Sequence, residues 1–193
     1  MKKIAIFASG NGSNFQAIAE AVEKGLLHAS IELLVCDHPG AYCTDRAEML
    51  NIPVFAFHPM EYPSKQAFEQ EILQHLQAKE VELIVLAGYM RLVGPVLLRA
   101  YPNQIINIHP SLLPAFPGKN AVLQALTAGV KVTGVTVHYV DEGMDTGPII
   151  AQRAVSIQKG ESIEDIHGKI QQAEHDLYPR IIEHLCSEQE ETV

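Results

Sequence analysis

Along the first 110 residues, short unbroken apolar runs alternate with segments of helical period, and few folds accept that rhythm. Residues 4–8 (Ile4, Ala5, Ile6, Phe7, Ala8) are continuously apolar and stop at a glycine-rich turn. Such a run reads as a strand buried on both faces, as in a parallel sheet. Across 13–24, Phe15, Ile18, Ala19 and Val22 recur at helical spacing, and Gly25 closes the segment. Strands are expected at 31–36, 53–57, 83–87 and 105–108. Helices are expected at 42–50, at 64–79 (Phe68, Ile72, Leu73, Leu76) and at 95–100, where a proline is allowed in the first turn. This alternation predicts an α/β fold with a mostly parallel, doubly wound sheet.

After residue 130 the rhythm changes. Residues 133–140 alternate and are β-branched, and 148–157 are again strand-like with only a loop between. Short loops join antiparallel neighbours, so an antiparallel pair is expected after the parallel strands. Ser162-Ile163-Glu164-Asp165 resembles a capping box. It would open a long final helix with Ile166, Ile170, Ala173, Leu177, Ile181 and Leu185 on one face, ending in an acidic, frayed tail over 187–193. No repeat or linker divides the chain. The 193 residues read as a single domain, 1–110 forming a nucleotide-binding half and 111–193 a catalytic loop with the C-terminal half.

Composition narrows the function classes. Fourteen Lys and Arg stand against 23 Asp and Glu, a net charge of −9, which argues against binding a nucleic-acid polymer. It does not argue against an anionic small molecule, because backbone amides bind phosphate without side-chain charge. Cys36, Cys43 and Cys186 make no CxxC and are odd in number, as in a reduced cytoplasmic chain. The apolar run after Met1-Lys2-Lys3 is too short for a signal segment. No run approaches the roughly 18 apolar residues of a membrane span. The nine histidines are scattered, without HExxH or paired cysteines, so no metal site is expected.

Two stretches carry chemistry. Gly10-Asn11-Gly12-Ser13-Asn14 lies between the first strand and the first helix. There its amides and the helix N-terminus form an anion site with phosphate as the natural guest; the plainer reading is a tight turn with Ser13 as the cap. The dinucleotide fingerprint GxGxxG is incomplete, because Phe15 stands where the third glycine belongs. Asp37 does end the second strand near the place of a ribose-binding acid, so a nicotinamide-dependent oxidoreductase is a second enzyme reading. In Asn107-Ile108-His109-Pro110-Ser111-Leu112-Leu113-Pro114, Asn107 and His109 are two apart and point to one face at the carboxyl end of the fifth strand. An amide donor beside an imidazole suits acyl transfer, the amide meeting a developing oxyanion and the imidazole moving protons. The same pair could simply satisfy loop backbone. Asp145, in the acidic loop 141–148, could orient the histidine or a water, or belong to a solvated turn.

Together with Ala87-Gly88-Tyr89-Met90-Arg91, Gly134-Val135-Thr136-Val137-His138, the 141–148 loop, Glu174-His175 and Tyr178-Pro179, these stretches resemble the phosphoribosylglycinamide formyltransferase family of purine biosynthesis. The resemblance runs over nearly the whole chain. It implies a Rossmann-like formyltransferase fold and transfer of a formyl group from 10-formyltetrahydrofolate, the co-substrate, to the amino group of glycinamide ribonucleotide, with no metal. It implies Asn107, His109 and Asp145 as catalytic residues. It implies Gly12, Ser13, Asn14 and Glu174 for the nucleotide, the first three at its phosphate and Glu174 at its ribose. For the folate it implies Lys65, Met90, Arg91, Leu92, Val93, Asn107 and Asp141, with the loop 141–145 cradling the pterin. Lys65 falls where the family can carry an arginine, and Leu86 could be pterin wall or ordinary core. After Phe116-Pro117-Gly118 the family often carries a histidine, whereas this chain reads Lys119-Asn120-Ala121-Val122. Formyltetrahydrofolate hydrolase, with water as acceptor, is the nearest rival; it usually carries an N-terminal domain that a chain starting directly in its first strand is not expected to have. A methionyl-tRNA formyltransferase would need an RNA-binding domain and basic charge. A non-catalytic nucleotide-binding module is the remaining alternative. Small molecules are the only expected partners, with the chain as monomer or homodimer.

Overall fold

The computed structural model describes residues 1–187; the expected frayed tail, beyond Ser187, lies outside them. The chain runs β1 (Lys2–Ala8), α1 (Ser13–Glu23), β2 (Ala29–Cys36), α2 (Tyr42–Met49), β3 (Val54–Ala56), α3 (Lys65–Ala78), β4 (Leu83–Leu86) and α4 (Pro95–Ala100). It continues through β5 (Ile105–His109), α5 (Ala121–Ala128), β6 (Val132–Tyr139), β7 (Ile149–Ser156) and α6 (Ile163–Ser187). One sheet takes the order β3-β2-β1-β4-β5-β6-β7. The first five strands are parallel, and β6 and β7 are antiparallel to their neighbours, as the change of rhythm predicts.

Period-two alternation divides the core in two. Ile4, Ile6 and Ala8 of β1 face α1, α2, α5 and α6, while Ala5 and Phe7 face α3 and α4. Both faces of the central strands are therefore covered, which is why their sequences are unbroken apolar runs. Leu86 is 5% exposed and packs in the second core.

Among the described residues, that second layer has no helix beyond β5. The segment after His109 folds over the sheet instead and is tied down by side chains. Thr136 Oγ1 accepts Leu113 N at 3.1 Å and donates to Ser111 O at 2.7 Å, and Gln152 Nε2 donates to Leu113 O at 2.9 Å. The polar alternate positions of β6 and β7 thus bond a loop where the central strands bury apolar groups.

Local differences from the sequence reading have local causes. Helix α5 was not expected; its start is set by Asn120 in the left-handed region at φ 58, and Gly129 ends it at φ 71. Ser162 opens α6 as a capping box, its Oγ accepting Asp165 N at 3.1 Å while Asp165 Oδ2 accepts Ser162 N at 2.9 Å. The buried stripe of α6 shifts near its C-terminal end. Tyr178, Pro179, Ile182 and Cys186 are buried there, and the expected Ile181 and Leu185 are half-buried. Among the described residues no helix is long and apolar enough to cross a membrane.

Candidate active site

The strand order reverses between β1 and β4, and the crevice above their carboxyl ends is where an open α/β sheet takes its ligand. A cleft of about 260 Å³ lies there, lined by residues 9–14 with Ala87, Gly88 and Met90. Gly12 is the N-cap of α1, left-handed at φ 76 and without a side chain to spend on the helix amides. Ser13 is not the cap. Its Oγ accepts from Gln171 Nε2 at 3.0 Å, and Asn14 Nδ2 donates to Glu174 Oε2 at 3.0 Å. The first-turn amides of α1 are therefore open to an anion. Only glycine fits at position 12, because a Cβ would stand 2.6 Å from that of Cys43.

A second cleft of about 500 Å³ follows on the other side of Glu174, between Pro110 and the first turns of α6, lined by His167, Gln171 and Glu174 among others. Burial pushes the Glu174 carboxyl up to about 7, against the opposing bond from Asn14. His175 is half-buried, and its Nε2 is shielded from solvent.

Asn107, His109 and Asp145 meet above β5, although none of them lines either cleft. His109 Nε2 lies 2.9 Å from Phe116 O, and its Nδ1 is 3.4 Å from Asp145 Oδ2. Asp145 Oδ2 also accepts Gly118 N at 2.8 Å. The loop residues that frame His109, Phe116 and Asp145, are both left-handed at φ 53 and φ 57, strain of a kind that concentrates at functional sites.

His138, quoted in the sequence but given no role, completes the group. It faces Asn107 across the β5–β6 pair, where the spacing of antiparallel strands brings opposed side chains together. Its Nδ1 lies 2.7 Å from Tyr139 O, and its Nε2 is 3.2 Å from Asn107 Nδ2 and 3.8 Å from Asp145 Oδ1. Nδ1 must donate to the carbonyl, so Nε2 accepts from Asn107. Burial holds the His138 ring below its ordinary pKa, which keeps that acceptor available. Asn107 is thus turned by one N–H and keeps the other for a ligand.

The residues expected at the folate divide. Met90 and Leu92 are exposed at 70% and 49%, whereas Val93 is buried against α3 and α4. Arg91 Nε donates to Asp37 Oδ2 at 2.7 Å. Lys65 opens α3 with its ammonium 4.0 Å from Glu69 Oε1, which also accepts Gly94 N at 2.6 Å. Asp141 accepts Gly143 N at 3.0 Å and Thr146 Oγ1 at 2.6 Å, so its carboxylate shapes the loop that carries Asp145. Asp37 is committed to Arg91 and, at 2.5 Å, to Ser9 Oγ, which occupies the acid that a dinucleotide ribose would need. Gln171, which the sequence reading gave no role, lines the larger cleft and donates to Ser13 Oγ. It stands three positions before Glu174, a helical spacing that puts both on one face.

Residues 2–182 match the formyl transferase family. The phosphoribosylglycinamide formyltransferase of Bacillus subtilis is 60% identical over 185 residues, which span 96% of this chain and 95% of that protein. The crystal structure of glycinamide ribonucleotide transformylase 1 from Geobacillus kaustophilus superposes with a TM-score of 0.94 at 60% identity, over 96% of this chain and 98% of that one. The phosphoribosylglycinamide formyltransferase structure from Bacillus halodurans gives 0.95 at 55% identity, over 99% and 98%. On its strand order, its Asn107–His109–Asp145 cluster and these likenesses, the chain belongs to the formyl transferase family.

Proposed function

We propose that this chain transfers the formyl group of 10-formyltetrahydrofolate to the amino group of N1-(5-phosphoribosyl)glycinamide, releasing tetrahydrofolate and the formylated nucleotide, in the cytoplasm. The observation that carries this reading is the convergence of Asn107, His109 and Asp145 at the carboxyl edge of the same sheet that carries the open N-terminus of α1.

The nucleotide's phosphate takes the first-turn amides of α1 at Gly12, Ser13 and Asn14, where the helix dipole favours an anion whatever the net charge of the chain. Its ribose hydroxyls donate to Glu174. The folate lies along residues 90–92, with Arg91 toward an anionic group and the 141–145 loop about the pterin. The glycinamide nitrogen attacks the formyl carbon. A C–N bond forms, and the carbonyl pair moves to oxygen as a tetrahedral intermediate. The free N–H of Asn107 donates to that oxygen, an interaction whose loss costs about 3–4 kcal/mol in comparable sites. His109 Nδ1 stands 3.4 Å from Asp145 Oδ2, longer than an ordinary hydrogen bond, so the carboxylate acts on the ring by its charge rather than by a direct hydrogen bond. A proton passes from the attacking nitrogen to folate N10 through His109 or a water, the oxygen's pair re-forms the carbonyl, and the C–N10 bond breaks with its pair leaving on N10. Direct attack needs no covalent enzyme intermediate.

The test is release of tetrahydrofolate from 10-formyltetrahydrofolate with and without glycinamide ribonucleotide. Turnover only with the nucleotide, yielding the formylated product, is expected. Deformylation without the acceptor would make the chain a hydrolase instead.

A further inference from the structure

The proposed chemistry gives no role to the buried carboxylate of Asp37. Asp37 directly follows β2 at 6% exposure, beside the switch point. Its Oδ1 takes Ser9 Oγ at 2.5 Å and its Oδ2 takes Arg91 Nε at 2.7 Å. Ser9 in turn accepts Met90 N on its hydroxyl at 2.9 Å, and its own N–H donates to Gly88 O at 3.2 Å. The guanidinium of Arg91 lies 5.9 Å from the Phe68 ring centroid. Arg91 is therefore held at Nε and backed by an aromatic ring, while the side chain stays 41% exposed. The ammonium of a lysine could not pair with Asp37 and still present two coplanar donors.

We propose that Asp37 is a positioning residue for the folate. It fixes the guanidinium of Arg91 before the co-substrate arrives, and through Ser9 it fixes the backbone of the segment on which the co-substrate lies. An arginine loses substantial rotamer freedom when it binds a ligand, and ordering it beforehand removes that cost from the binding step. Ser9 immediately precedes the phosphate turn, but its bonds go to residues 37, 88 and 90, so the effect belongs to the folate side.

This inference rests on the reaction proposed above, and its test separates the two. Tetrahydrofolate and glycinamide ribonucleotide are titrated separately into the wild-type chain, Asp37→Asn, Arg91→Ala and the double variant, and kcat and KM are measured for each. Asp37→Asn keeps the shape and loses the charge. It is expected to weaken tetrahydrofolate binding and raise the folate KM by about tenfold, with kcat and nucleotide affinity changed by less than about threefold. In the Arg91→Ala background the same substitution is expected to add almost nothing, because the asparagine Oδ1 still accepts from Ser9 Oγ and only the pairing with Arg91 is lost. Arg91→Lys, which leaves the buried carboxylate in place, is expected to lose folate affinity to a similar degree. Independent, multiplying effects would overturn the role of Asp37, as would equal losses for both ligands or an Arg91→Lys chain that binds like the wild type. A wild-type chain that fails to bind tetrahydrofolate would remove the proposed reaction itself.

Discussion

Asp145 combines a left-handed backbone with a carboxylate that serves both Gly118 N and the edge of His109. Asparagine tolerates positive φ nearly as well and keeps an acceptor for Gly118, so Asp145→Asn removes the charge with little change of fold. The expected result is a kcat lower by about 10²–10⁴-fold with the nucleotide dissociation constant nearly unchanged, measured by steady-state kinetics and calorimetry. Wild-type turnover in that variant would remove Asp145 from the chemistry. His138 acts one step further back. His138→Phe preserves bulk but deletes the acceptor that turns Asn107, so kcat should fall by about tenfold at constant KM. The wild type should show a related loss on the acid side. Burial sets the His138 pKa below its ordinary 6.5, so Nε2 becomes protonated only beneath that pH, and then it can no longer accept from Asn107. A kcat profile flat below pH 6.5 in the wild type, or an acid limb kept in His138→Phe, would deny this role.

Strands were the most legible elements, because burial on both faces leaves no polar position to confuse the pattern. The pair Asn107 and His109 was legible for the complementary reason: two polar groups on one face of an apolar strand need a purpose. His138 was harder to read, since its value depends on a cross-strand partner 31 residues away in sequence. Helix α5 escaped notice because its left-handed Asn120 offers no ordinary capping signal. The buried stripe of α6 was mislaid only around Pro179, where a proline removes a helix hydrogen bond. The phosphate turn shows how element and site depend on each other. At Gly12 a side chain must meet both the positive φ and the Cβ of Cys43 on α2. Gly12→Val should cost about 1–2 kcal/mol of strain in thermal unfolding and displace the first turn of α1 from α2. Nucleotide affinity should therefore fall well beyond folate affinity in paired titrations. The opposite ranking would take the phosphate away from this turn.

Folding moves Glu174 from water to a half-buried position on α6, where it bonds Asn14 of α1 and lines the larger cleft, and its carboxyl pKa rises from 4.5 to about 7. The sign follows from linkage. A raised carboxyl pKa means that the folded chain binds the proton more tightly than the unfolded one, so stability from this group falls as pH rises. The penalty is absent below pH 4.5, grows through the interval to about 7 and is complete above it. Its full size is on the order of 3 kcal/mol, a large share of an ordinary folding free energy. Surface carboxylates pull the other way. Glu20, Glu161 and Glu183 are held below their ordinary range by Lys24, Lys169 and His28, or by nearby backbone and side-chain donors. The raw stability curve of the wild type therefore hides the Glu174 contribution, but the difference from a Glu174→Gln variant isolates it. Glutamine keeps an acceptor for Asn14 and cannot ionise. The variant should gain stability relative to the wild type from pH 4.5 to 8, by up to about 3 kcal/mol in denaturant midpoints converted to free energy. It should at the same time bind glycinamide ribonucleotide more weakly, because the anion that destabilises the empty fold is the acceptor proposed for the ribose. A stability difference that does not vary with pH would show that Glu174 titrates as it does in water. Unchanged nucleotide affinity would separate its burial from any role in binding.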